Sequence, residues 1–177
     1  MMRYIFLLSG KAQAGKDTFG SMARDFGFHR YAFADALKRE AIEGGWDGEK
    51  DQKGRALLQN LGSIWREYDP DHWIRKIQES IDHYRVVVTD CRYQNEIVLM
   101  REWGELHGYR VLTIRIERPG YDSLPLDMAS HSSECDLDKF PFDHCIWNME
   151  TLEEYCEKCK KIVREILRDH TLKEITG

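Results

Sequence analysis

Gly10-Lys11-Ala12-Gln13-Ala14-Gly15-Lys16-Asp17-Thr18 is the stretch that decides how this chain is read. It has a G-x-x-x-x-G-K core, and its surroundings matter more than its letters. Before it runs Arg3–Ser9, apolar after its first residue, the pattern of a strand buried on both faces. After it, Lys16–Phe26 has helical character and stops at Gly27. A strand, a glycine-bounded turn and a helix in that order aim successive backbone N–H groups, and the partial positive charge of a helix N-terminus, at one anion. Residues 10–18 are therefore read as a nucleotide-phosphate loop, with Lys16 reaching the β- and γ-phosphates. Asp17 stands where Ser or Thr normally meets magnesium, and Thr18 follows it. A carboxylate can serve that ion directly or through water, because magnesium prefers oxygen ligands. The alternative is a glycine-rich strand–helix turn that holds no nucleotide.

Outward from the loop, strands and helices alternate. His29–Phe33 reads as a short strand, and Asp35 as the N-cap of a helix ending at Gly44-Gly45. Residues 51–69 and 70–83 read as two further helices, the second with Pro70 near its start. In the first of them Leu57, Leu58, Leu61, Ile64 and Trp65 recur at helical spacing. Arg85–Thr89, with three successive valines, predicts a second buried strand. A helix from Gln94 to His107, a strand over Arg110–Ile116 and a last strand at His144–Trp147 follow. Thr151-Leu152-Glu153-Glu154 is a capping-box pattern opening a final helix. Residues 118–142 hold three of the four prolines and little periodicity. The pattern predicts one α/β domain over residues 1–177, with a mostly parallel five-stranded sheet covered by helices on both faces.

Composition narrows the function classes. The 177 residues carry 26 Lys and Arg against 31 Asp and Glu, a net charge of -5, which argues against nucleic acid as the main partner. The apolar run Tyr4–Leu8 is far too short to span a membrane, so a soluble, cytoplasmic protein is expected. The five cysteines favour reduced thiols. Cys156 and Cys159 have redox or zinc spacing, but they fall on the apolar face of a helical pattern and lack a second pair, so core packing is the reading.

Beyond the loop, five stretches resemble phage-type deoxynucleoside monophosphate kinases: Leu7–Thr18, Phe33–Lys38, Leu57–Ile77, Val86–Glu96 and Arg110–Gly120. The likeness rests on Gly-Lys-Asp-Thr, Phe-Ala-Asp-x-Leu-Lys, Leu-Gln-x-Leu-Gly, Val-Val-x-x-Asp-x-Arg and Arg-Pro-Gly, and continues through Ser133-Glu134 and Asp143–Asn148. Animal phosphomevalonate kinases are similar at Gly-Lys-Asp, Asp69-Pro70, Arg75-Lys76-Ile77, Asp90-x-Arg92 and Ser133-Glu134-Cys135. The resemblance implies a P-loop kinase fold, a three-layer α/β sandwich with acceptor-binding helices over about 34–83 and a lid over about 118–142. It implies ATP and Mg2+ as cofactors and a small phosphorylated acceptor, with ATP + dNMP giving ADP + dNDP as the leading reading. A phosphomevalonate-type kinase and a nucleotide-binding regulatory module without transfer chemistry are the alternatives. The region between Phe33 and Leu57 is short compared with larger phage enzymes, so base preference stays open, as does oligomeric state, a homodimer included.

Roles follow from the chemistry such a reaction needs. A phosphomonoester has a second pKa of about 6, so the acceptor is largely a dianion near neutral pH and needs no general base. Bringing two anions together is harder: each unit-charge pair at about 4 Å costs about 4 kcal/mol at an effective dielectric near 20. The site therefore needs cations from more than one segment. Asp90 and Arg92 follow a strand's carboxyl end, where ligands gather in such sheets. Asp90 is expected to help hold magnesium and Arg92 to grip the acceptor phosphate, or the two form a surface salt bridge. Lys38 and Arg66 are acceptor-phosphate candidates, with Asp35 and Gln59 beside them and His72 and Arg75 behind; each is otherwise an ordinary helical charge or cap. Arg118 opens the lid and is assigned to the transferring phosphate. By resemblance, the turn after Asn148 borders adenine. His131 is a lid residue, and Trp46 or Tyr68 is a candidate to stack on a base, the other tryptophans being core.

Overall fold

The computed structural model describes residues 2–120 and 136–176, with side chains up to Arg168 at the C-terminal end. Its strands are β1 (Arg3–Ser9), β2 (His29–Tyr31), β3 (Arg85–Val88), β4 (Tyr109–Glu117) and β5 (His144–Trp147). Its helices are α1 (Lys16–Ala23), α2 (Phe33–Glu43), α3 (Gln52–Tyr68), α4 (His72–Ser80), α5 (Gln94–Leu106) and α6 (Leu152–Thr176), with a 3-10 turn at Arg24–Phe26. The sheet has the order β2-β3-β1-β4-β5. All four pairings are parallel, with Leu7 of β1 opposite Val88 and Thr113. Parallel neighbours need crossovers, and the helices that supply them cover both faces.

Alternation along β1 divides the core in two. Tyr4, Phe6 and Leu8 face α1 and α6, packing with Phe19, Phe28, Tyr155, Cys159 and Val163. Ile5 and Leu7 face the other way, toward Phe33, Trp73, Ile74, Ile97 and Met100. Cys159 is thus a core residue. The order places β1 in the middle with β3 beside it, so the loop after β1 and the turn after β3 meet at the carboxyl end of the sheet. Cys91 N–H donates to the Leu8 carbonyl at 3.0 Å across that junction.

Several local expectations are corrected. Asp35 does not cap α2: Ala32 is the N-cap residue, and the open N–H groups of Phe33 and Ala34 donate to the two oxygens of Asp90, at 2.8 and 2.9 Å. A carboxylate from a neighbouring strand end supplies the acceptors that no local side chain gives. Asp51 does cap α3, accepting from Gly54 N–H at 2.7 Å. α4 begins two residues after Pro70, behind the N-cap residue Asp71. The apolar set on α3 is split, with Trp65 packed inward and Leu57 and Ile64 exposed. Trp147 on the edge strand β5 and Tyr68 are exposed as well. No helix among the described residues is long and apolar enough to cross a membrane.

Candidate active site

Phosphate-loop geometry follows from two crowded glycines. A Cβ on Gly10 would lie 2.3 Å from the Ile116 carbonyl oxygen, and one on Gly15 would lie 2.8 Å from Asn148 Nδ2 and 2.9 Å from the Tyr155 ring. Gly15, at φ 111°, is the N-cap of α1. Gln13 is also in the left-handed region, at φ 62°, where a side chain is uncommon. Two side chains hold the loop from behind. Asn148, buried, donates to the Ala14 carbonyl at 2.9 Å, and the Tyr155 hydroxyl donates to the Gly15 carbonyl at 3.3 Å. With the carbonyls drawn backward, the N–H groups of Lys16, Asp17 and Thr18 at the start of α1 have no helical acceptor four residues earlier. Lys16 Nζ donates to the carbonyls of Gly10 and Lys11 at 2.6 and 2.7 Å.

A cleft of about 250 Å³ opens over this loop, lined by Gln13, Lys16, Thr18, Arg118, Asn148 and Tyr155 among others. Arg118 Nη1 donates to the Gln13 carbonyl at 3.3 Å. Asn148 is therefore a wall of the cleft with its amide engaged on the loop. Of the expected lid, residues 121–135, including His131, Ser133, Glu134 and Cys135, lie outside the described residues. Its last part is anchored to the body. Asp136 accepts from the N–H of Gln94 at 2.7 Å, and Asp138 pairs with Arg115 at 3.0 Å and with Lys11 of the loop at 3.4 Å. Arg115, buried, also reaches Ser9 Oγ at 3.1 Å and Glu117 at 2.6 Å.

On the opposite side sit the residues expected to meet the acceptor. Asp90 is half-buried, and desolvation raises its pKa, opposed by the two N–H groups of α2. Arg92 is exposed just beyond it. Glu96 was not anticipated. It is buried; its Oε2 accepts from the N–H groups of Arg92 at 2.7 Å and Tyr93 at 3.1 Å, and its Oε1 from Arg66 at 3.4 Å. Burial pushes its pKa up to about 7, against the Arg92 N–H and the Arg66 charge. Arg66 also stacks on Tyr93 at 4.6 Å. The signal for Glu96 was its place three residues after Tyr93 at a helix start, the position from which a carboxylate reaches back to the cap.

A second chain of charges joins α1 to α2. Arg30 lies 3.9 Å from Asp17 and 2.7 Å from Asp35, and Lys38 lies 3.2 Å from Asp35. The structure thus brings together Asp17, Asp35 and Lys38 through Arg30, and Arg92 and Arg66 through Glu96, while Asp90 joins the same turn to α2. Gln59 is not gathered in: it is exposed on a separate groove with Lys50, Asp51 and Arg55. His72 bonds Glu40 at 3.2 Å and stacks on Trp65, while Arg75 pairs with Asp69, so both brace the helices.

The chain that carries this site has relatives. No family model matches the chain. A protein of Acanthamoeba polyphaga mimivirus named "Putative deoxynucleotide monophosphate kinase" is 30% identical over a 189-position alignment that covers 87% of this chain and 92% of that protein. The chain belongs to the deoxynucleotide monophosphate kinase family. Among solved structures, a dephospho-CoA kinase from Campylobacter jejuni superimposes with a TM-score of 0.58 at 18% identity, covering 94% of this chain and 98% of the other. A gluconokinase from Sinorhizobium meliloti 1021 gives 0.56 at 15% identity, covering 97% and 98%. Their acceptors differ while the core is shared, so this family member has the P-loop kinase fold and is a kinase-type enzyme.

Proposed function

We propose that the chain transfers the γ-phosphate of ATP to a deoxynucleoside monophosphate, giving ADP and a deoxynucleoside diphosphate. The observation that carries this reading is the meeting of two unlike halves at the carboxyl end of the sheet. The open N–H groups of α1 with Lys16 suit a nucleoside triphosphate, and Arg92 stands opposite on a turn fixed by Glu96. Gly10, Lys11, Ala12, Gln13, Ala14, Gly15, Lys16, Asp17 and Thr18 form the donor cradle, with Asn148 holding its shape. Lys16 leaves the carbonyls of Gly10 and Lys11 for the β- and γ-phosphates. Arg118, against Gln13, is placed to follow the transferring group. Arg92 and Lys38 supply acceptor cations, Arg66 and Asp35 orient them, and Asp90 holds α2 against the turn. An acceptor phosphate oxygen attacks the γ-phosphorus, the bond to the β-phosphate oxygen breaks, and the leaving ADP keeps the electron pair. Because the acceptor is already a dianion, no proton need be removed.

Magnesium fits this site as a companion of the nucleotide. Among the described residues no cluster of three His, Cys, Asp or Glu stands ready to hold a metal. Asp17, Thr18 and Asp90 offer oxygen, which suits an ion that keeps phosphate oxygens and waters for most of its shell. Bound there, it would neutralise charge between the β- and γ-phosphates.

The deciding test is a coupled ADP-release assay with Mg-ATP against each deoxynucleoside monophosphate and phosphomevalonate, beside Lys16→Ala. Turnover dependent on a deoxynucleotide and lost in Lys16→Ala is expected. Turnover with phosphomevalonate alone would reassign the acceptor. Slow ATP hydrolysis with no acceptor dependence would leave a regulatory module.

A further inference from the structure

We propose that the end of the sheet remote from the phosphate loop carries a second, separate binding site for an organic phosphate. A cavity of about 340 Å³ opens there, among the first residues of β1 and β3, the 3-10 turn and the C-terminal part of α6. Arg85, Arg164 and Arg168 line it, with Phe26, Leu167 and Met2 as apolar surface, and among the described residues no carboxylate belongs to its wall. The chain carries more acidic than basic residues, 31 against 26. Even so, among the described residues none of these three arginines forms an ion pair, whereas Lys158 and Lys160 of the same helix pair with Glu150 and Asp25.

The local geometry argues for an occupant rather than a solvated rim. Arg85 donates through Nη1 to the Phe26 carbonyl, while among the described residues its buried Nε has no hydrogen-bond partner. An underpartnered guanidinium is costly, and an anion seated in the cavity that Arg85 lines would offset that cost through its charge. Arg164 lies 5.8 Å over the Phe26 ring, so Phe26 meets Arg85 through its carbonyl and Arg164 through its ring. Arg164 and Arg168 stand four residues apart, on one face of α6, where like charges repel unless an anion lies between them. Guanidinium forks match phosphate oxygens in pairs. The phenyl ring and Leu167 suit a planar, apolar body attached to that phosphate. A cavity of this size holds both parts, and nucleoside phosphates are compounds that have them.

This site is independent of the reaction cleft. Arg85 is opposite Tyr4 at the start of β1, and the phosphate loop begins after Ser9 at its other end. At about 3.3 Å per residue the two ends are roughly 20 Å apart, too far for one ligand to serve both.

The test uses the full chain carrying Lys16→Ala, which weakens the phosphate loop, titrated calorimetrically with pyrophosphate and with deoxynucleoside triphosphates. Both are expected to bind, the nucleotide more tightly. Adding Arg164→Ala and Arg168→Ala, surface changes that leave the core untouched, should weaken binding at least tenfold. In the native-loop background the same pair should leave kcat and KM unchanged at low nucleotide. Affinity altered less than twofold by the arginine pair would overturn the site, as would binding that disappears with Lys16→Ala alone. Binding to anionic lipid vesicles without binding to free nucleotide would overturn it too, by assigning the arginines to a membrane surface.

Discussion

Around Gly15 the contacts that shape the cleft are neutral and steric: a backbone in the left-handed region, an amide and a hydroxyl drawing back two carbonyls, and no room for a Cβ. Around Arg92, on the other side, they are ionic: Glu96 buried, Asp90 half-buried, Arg66 and Arg30 bridging helices. On the proposed function, the difference suits the two tasks. A triphosphate presents the same shape in every ATP-dependent enzyme, so a fixed backbone cradle serves it. On that same reading, an acceptor-side turn held by charges can be repositioned by changing one residue.

The largest effect expected is on the rigid side. Gly15→Ala forces a methyl group against Asn148 and Tyr155 and imposes positive φ on alanine. Overpacking costs typically about 1–3 kcal/mol, and the left-handed backbone about 1–2 more. If the loop absorbs this by moving, kcat/KM for ATP falls by roughly 10²–10³, a figure checked by steady-state kinetics with acceptor saturating. Unchanged ATP kinetics would show that the cradle is not steric.

Arg92→Ala tests the other half. Losing one positioned cation opposite developing charge costs about 10²-fold in the acceptor's kcat/KM, with ATP affinity held. Acceptor kinetics and ATP binding measured on one preparation distinguish the halves. Equal loss for both substrates would mean that the cleft works as one unit.

The two halves also differed in how legible they were. Residues 10–18 announce themselves because a tight anion-binding turn demands glycines at fixed spacing between a strand and a helix, all of it local in sequence. The parallel sheet followed from alternation of buried strands with helices. The acceptor side depends on contacts across 30 to 57 positions, Arg66 with Glu96 and Asp90 with Phe33, which periodicity does not encode. Asp35 had the right residue type near a helix start, but Asp90 from another strand took the capping role. Gln59 had the right chemistry and points to a different groove. Tyr155 lies in the core, yet its ring closes on Gly15 and its hydroxyl donates to the Gly15 carbonyl, contacts that a core position in a helix does not announce.

Glu96→Gln sharpens the ionic half through pH. The folded carboxyl titrates near 7, above its ordinary 4.5. A raised carboxylate pKa means that the folded state holds a proton the unfolded chain has lost. The contribution is complete below the unfolded value and disappears as pH rises through about 7. Between about pH 6 and about pH 8 the native chain should lose about 1.4 kcal/mol from this group, a slope absent in Glu96→Gln. Urea unfolding at the two pH values measures it. Parallel slopes would place the titration elsewhere and leave the turn held by a permanently charged Glu96.

The smallest change asks how much of the steric half depends on a single polar atom. Tyr155→Phe keeps the ring that blocks a Cβ at Gly15 and removes only the hydroxyl that donates to the Gly15 carbonyl at 3.3 Å. A net hydrogen bond contributes about 0.5–1.5 kcal/mol, and this one is long. KM for ATP should rise by roughly two- to fivefold, with kcat and acceptor KM unaltered, since the ring still fixes the loop's position. A loss as large as that of Gly15→Ala would mean that the hydroxyl, not the packing, orients the N–H groups. The donor half would then rest on a polar contact much as the acceptor half does.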